Sequence, residues 1–207
     1  MANFNIGLIL GFFISVCIFL ILIITKLQPK PTSPMQDLLP DFRPSQTQRY
    51  ITSSKFLYDC YEYLMQRLDY FKHEEWILFI TGFKTNNDVH LISLYKPKLS
   101  SQSAAYVKVD EYSARDILIE IDEYGAQLHA IFHSHRFCGL PAPSPVDVNN
   151  HKMHERGRYN LITGIFSEDG YITFWNTGHT DFKVSIIGKG VETLDESGKH
   201  FRLSKIG

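Results

Sequence analysis

Residues Phe4 to Thr25 (FNIGLILGFFISVCIFLILIIT) form one apolar run without a charged side chain. About 20 such residues in a helix cross the hydrocarbon core of a bilayer, so the run divides the chain, and whatever folds in water must follow it. A cleaved signal peptide would place basic residues before the run and a small-x-small site behind it. The leading MANFN has no basic side chain, and Thr25-Lys26-Leu27 offers no such site. Residues 1–26 are therefore predicted to be an uncleaved, single-pass transmembrane anchor. Lys26, Lys30 and Arg43 follow the span and nothing basic precedes it, which by the positive-inside rule puts the C-terminal body in the cytoplasm. Gly7-x-x-x-Gly11 has the spacing of a helix-dimerising face, so the run reads either as a homodimer contact or as an ordinary membrane helix.

Residues 27–50, rich in Pro, Ser and Gln, have little to bury and are predicted to be a semi-extended tether. Residues 51–207 are predicted to be a single folded domain; 207 residues at 44% hydrophobic composition leave room for one proper core. A net charge of -1 gives no electrostatic footprint for nucleic acid. Three cysteines, Cys17, Cys60 and Cys138, are too few and too scattered for a disulfide framework.

Within the domain, Leu57, Tyr61, Leu64, Leu68 and Phe71 recur at helical spacing. Short apolar runs at Trp76–Ile80, Val89–Tyr95, Ala104–Val109, Leu128–Phe132 and Phe182–Ile187 read as strands. Leu161–Phe166 and Tyr171–Trp175 read as a hairpin. Ser113-Ala114-Arg115-Asp116 reads as a capping box opening a helix that Gly125 ends. Strands and helices interleaved in this order predict an α/β domain, a mixed central sheet flanked by helices on both faces.

The chemistry-bearing stretch is Ile131-Phe132-His133-Ser134-His135, followed by a loop from Arg136 to Pro143 and then Ser144-Pro145-Val146-Asp147. Two residues apart on a strand, His133 and His135 point to the same side, and Asp147 can return as a third ligand. Two His and a carboxylate around an open fourth position are the ligand set of a hydrolytic zinc centre. Each part also has a plain reading. The histidines can be polar residues leaving a core, and Ser144-x-x-Asp147 is an ordinary helix start with Ser144 as N-cap. Cys138 lies in the loop, either as a further zinc ligand through its thiolate or as an incidental residue. His151 and His154 are expected to be exposed on a short helix.

His-Ser-His, a short loop and Ser-Pro-x-Asp together resemble the metal motif of the JAMM metalloproteases, the zinc-dependent MPN-domain family. The resemblance spans roughly Phe71 to Phe182. It implies an MPN-like mixed sheet and one zinc ion per chain, held by His133, His135 and Asp147. It also implies a glutamate ahead of a strand as general base. Glu75, in Glu75-Trp76-Ile77-Leu78-Phe79-Ile80-Thr81-Gly82, fits that place, with Glu74 as its rival. By the same resemblance Ser144 donates a hydrogen bond to the oxyanion, and the substrate is the C-terminal tail of a ubiquitin-like protein. Two departures stand out: Arg136 occupies the place where the family usually has proline, and the loop is one residue longer than usual. The other readings are a catalytically silent scaffold binding partners at the membrane and a zinc peptidase or amidase with a different substrate.

Overall fold

The computed structural model describes residues 47–66, 74–86, 88–103, 106–156, 161–178 and 181–204. The expected membrane span, most of the expected tether, and Lys26, Lys30 and Arg43 lie outside these residues. Among the described residues no helix is long and apolar enough to cross a membrane.

In chain order the elements are β1 (Gln48–Ser53), α1 (Ser54–Gln66), β2 (Ile77–Thr85), β3 (Asp88–Tyr95), β4 (Leu99–Gln102), β5 (Val107–Val109) and α2 (Glu111–Glu123). Then come β6 (Gln127–His135), α3 (Pro145–Arg156), β7 (Ile162–Ser167), β8 (Tyr171–Trp175), β9 (Phe182–Ile187), β10 (Val191–Thr193) and β11 (His200–Leu203). Nine strands form one sheet in the order β10-β11-β8-β7-β6-β2-β3-β1-β9, and β4 and β5 form a separate hairpin. The pairs β1–β3, β1–β9 and β6–β7 are parallel, and the remaining neighbours are antiparallel.

This architecture corrects the expectation of an α/β sheet layered between helices. The protein is mostly sheet, with three helices among the described residues, and the sheet curls into a nearly closed barrel. Chain connectivity requires the curl. β9 and β10 stand at opposite ends of the strand order, yet only residues 188–190 join them. Four Cα steps reach at most about 14 Å, whereas nine strands laid flat at about 4.8 Å spacing would span roughly 38 Å. Closure shows directly in the Val184 N–H, which donates from β9 to the carbonyl of Gly198 beside β11 at 2.8 Å. The joining turn runs through Gly188 at φ +116° and Gly190 at φ +89°, conformations that side chains with a Cβ rarely adopt.

The concave side is filled by α1. Leu57, Cys60 and Leu64 are fully buried there against Leu78, Ile80, Ala130, Phe132, Phe166 and Phe174. On the opposite face Phe79, Ile131 and Leu161 make a smaller core with Ala114 and Ile117 of α2. β2 and β6 are therefore buried on both sides, which is why they read as continuous apolar runs.

Three local expectations also change. β1 begins at Gln48, in residues read as tether, and pairs in parallel with β9 and β3. Of the stretch read as one strand, Ala104–Val109, residues 104 and 105 lie outside the described residues, and Val107–Val109 form β5, which folds back on β4. α2 starts before Ser113, because the Asp110 side chain caps it by accepting the Ser113 N–H at 2.9 Å.

Candidate metal centre

β6 ends in the two histidines. They are buried, at 5% and 7% exposure for His133 and His135, and their rings lie on the same side with Nε2 atoms 3.1 Å apart. The third group arrives from α3. Ser144 and Asp147 form a reciprocal cap: the Asp147 N–H donates to Ser144 Oγ at 3.2 Å, and the Ser144 N–H donates to Asp147 Oδ2 at 2.7 Å. The carboxylate is thereby turned back onto β6, with Oδ1 3.3 Å from His133 Nε2 and Oδ2 3.2 Å from His135 Nε2. The helix-start reading of Ser144-x-x-Asp147 is met, and the same geometry is compatible with the ligand reading.

His133, His135 and Asp147 form a cluster that could hold a metal ion, the one such group among the described residues. Ligands at about 2.0–2.1 Å from a tetrahedral centre stand roughly 3.3 Å from one another; the two ring nitrogens are 3.1 Å apart, and each faces its own oxygen of Asp147 at 3.2–3.3 Å, with one donor atom from each residue lying within 4.8 Å of the others. Burial opposes ionisation of Asp147. Hydrogen bonds from the His133 and His135 rings, with the Ser144 N–H, nevertheless hold its carboxyl well below the usual carboxylate range. The carboxylate is therefore anionic where the three groups meet.

Glu75 enters from the segment just before β2. It is 9% exposed and opens, with His133, Ser144 and Asp147, onto one cavity of about 440 Å³. Ile77, Phe79, Val107, Ile131 and Trp175 supply apolar wall to the same cavity. Glu74 does not line it. Burial raises the Glu75 carboxyl to about 7; Asp147 adds to the rise, while His135 and Arg136 pull against it. A carboxylate that holds a proton near neutrality is matched to general acid–base work.

The rise has a consequence for stability. The folded chain, free of metal, binds the Glu75 proton more tightly than the unfolded chain. This contribution is complete below the ordinary value of 4.5 and is lost as pH climbs to about 7. Chelator-treated wild type is expected to lose on the order of 3 kcal/mol relative to Glu75→Gln across that window. Denaturant unfolding at several pH values checks this, and parallel curves for the two proteins would refute it.

The backbone around Glu75 is held by groups outside the strand ladder. The Glu75 N–H donates to the Ser103 carbonyl at 2.9 Å, and Gln102 Nε2 donates to the Glu75 carbonyl at 3.4 Å. The Trp76 N–H donates to Ser134 Oγ at 2.9 Å, and Arg136 Nε donates to the Glu74 carbonyl at 3.2 Å. Ser134, Gln102, Ser103 and Arg136 escape a reading of the sequence. The only sequence signals were the serine between the histidines and an arginine after them.

Other expectations change here. His151 is buried rather than exposed, with Nδ1 3.0 Å from Thr163 Oγ1 and its ring 4.9 Å from that of Trp175. His154 is half-buried, and burial lowers its pKa. Both line the cavity without joining the ligand cluster. Cys138 is exposed and outside the cluster. A larger hollow of about 830 Å³ lies beside α2 around His129, at the other end of β6, and includes neither Glu75 nor a metal ligand.

No protein-family model matches the sequence, and no curated protein matches it. Among solved structures the chain is similar to the solution structure of protein DSY2949 from Desulfitobacterium hafniense. Identity is 16% and the TM-score 0.47, over 66% of this chain and 93% of that one.

Proposed function

We propose that the protein is a membrane-anchored zinc hydrolase of the JAMM type, which cleaves the peptide or isopeptide bond following the C-terminal tail of a ubiquitin-like protein on the cytoplasmic side. The observation that carries this reading is the convergence of His133, His135 and Asp147 at 3.1–3.3 Å, with Glu75 opening onto the same cavity. A zinc ion held there would polarise the scissile carbonyl and bring the pKa of water from 15.7 down to about 7.

The rest falls to the chain's own residues. Glu75 accepts a proton from the attacking water and passes it to the departing amine. Ser144 accepts the Asp147 N–H through an oxygen lone pair, which leaves its hydroxyl proton to donate to the oxyanion. The apolar wall excludes water from the reacting bond. β5 pairs with β4 on one edge and lines the cavity, so an extended tail can add along its other edge by strand pairing. The anchoring and its cytoplasmic orientation rest on the apolar run and the basic residues after it.

The test combines metal analysis with turnover on a panel of ubiquitin-like proteins carrying C-terminal fusions. One zinc per chain, with cleavage after the tail, supports the reading. Stoichiometric zinc with cleavage of unrelated peptides alone would refute the substrate class, and a protein that binds no zinc would refute the hydrolase. Ser144→Ala is expected to lower kcat by about 10²–10³-fold through the lost oxyanion donor. It should also cost roughly 1 kcal/mol of stability through the lost cap. Steady-state kinetics and denaturant unfolding separate the two effects, and unchanged kcat would remove Ser144 from the reaction.

A further inference from the structure

We infer that Arg136 is the positioning residue for Glu75, a buried tether that holds the base-bearing peptide against the metal-bearing strand. The inference rests on the reading of Glu75 as the base.

Glu75 precedes β2, which begins at Ile77, and the backbone bonding with β6 reaches only as far as the Trp76 carbonyl, which accepts the Ser134 N–H at 3.0 Å. The peptide units on either side of its Cα are instead gripped at four points: Ser103, Gln102, Ser134 and Arg136. Three of these grips are neutral. Arg136 is the charged one, and its side chain is only 6% exposed. While Nε holds the Glu74 carbonyl at 3.2 Å, Nη1 holds Glu168 Oε1 at 3.1 Å in the turn between β7 and β8.

That turn is itself anchored. The Glu168 N–H donates to the Phe137 carbonyl at 3.2 Å, and the Glu168 carbonyl accepts the Tyr61 hydroxyl of α1 at 2.6 Å. Asp169 accepts the Gly139 N–H at 2.9 Å, which pins the loop that leads on to Asp147. Arg136 also follows His135 directly in the chain. A single side chain on the metal-bearing strand therefore ties the base segment to the β7–β8 turn, which Tyr61 in turn bonds to the core helix. The planar guanidinium serves two acceptors lying in different directions at once. A lysine ammonium on one flexible stem is a compact point charge without that rigid fork.

The experiment uses the full chain as wild type, Arg136→Lys and Arg136→Met. It measures bound zinc, hydrogen exchange in peptides covering residues 74–77, and kcat and KM on a ubiquitin-like fusion. Both variants are expected to keep one zinc per chain. Exchange in 74–77 should rise tenfold or more while the interior of β2 stays protected, and kcat should fall at least tenfold with KM within twofold. Lysine keeps the charge but not the bridge, so it should be as defective as methionine. Wild-type exchange and kcat in Arg136→Lys would overturn the tether, as would a change confined to KM. If the lone Glu168 charge keeps Arg136→Met from folding, Arg136→Met combined with Glu168→Gln carries the same expectations. If wild type cleaves no fusion, the hydrolase reading fails separately, and exchange in 74–77 still decides whether Arg136 holds the segment.

Discussion

Glu75→Gln is expected to bind one zinc ion per chain as wild type does, while kcat falls by roughly 10²–10⁴-fold, the usual worth of a positioned general base. The substitution isolates chemistry from architecture. Glutamine has the shape of glutamate, and the grips on this segment go to backbone groups rather than to the side chain. The cluster that could hold an ion consists of three other residues, so metal content should not change. Only the ionisable carboxyl goes, which burial has brought up to about 7. Metal analysis and steady-state kinetics check both halves. Turnover within tenfold of wild type would assign the base elsewhere, with Glu74 next to be replaced. Loss of zinc would make Glu75 a ligand.

Asp147→Asn is expected to have the opposite signature, losing the metal while keeping the fold. The asparagine carbonyl can still accept the Ser144 N–H, so the start of α3 survives. The anionic ligand between the histidines does not. Zinc affinity should fall by more than about 100-fold, beyond the 10–100-fold typical of groups that merely support a ligand. His133→Ala should do the same from the strand side, removing the donor 3.3 Å from Asp147 Oδ1. Competition with a chromogenic chelator measures both. Wild-type affinity in either variant would mean that the three donors do not share one ion. A collapse of circular dichroism in Asp147→Asn would show that the carboxylate serves the cap rather than the metal.

The site is more legible in the sequence than the fold, for a physical reason. The i, i+2 spacing of His133 and His135 and the reciprocal cap of Ser144 and Asp147 obey short-range rules, so the geometry can be anticipated from a few residues. Barrel closure obeys no such rule. It depends on β9 and β10 lying at opposite ends of the strand order, and that follows from pairings between distant segments. β1 is hidden for the same reason. QRYITS is an unremarkable polar stretch until its parallel partners, β9 and β3, are known. α2 misleads by one turn because Asp110 and Ser113 are both good caps, and the side chain that reaches an open N–H decides between them. His151 reads as exposed because the helix that carries it is polar overall. Its burial comes from Thr163 and Trp175, which approach from β7 and β8.

The central claim is that two imidazoles and one carboxylate bind a single ion and leave a coordination position open to a substrate or water. X-ray absorption at the zinc edge of the loaded protein, compared with Glu75→Gln and Asp147→Asn, tests it most directly. The expected first shell holds two imidazole nitrogens and light oxygen donors at about 2.0–2.1 Å. It should be unchanged in Glu75→Gln and disrupted in Asp147→Asn. A shell containing sulfur from Cys138, or one with fewer than two imidazoles, would contradict the centre described here.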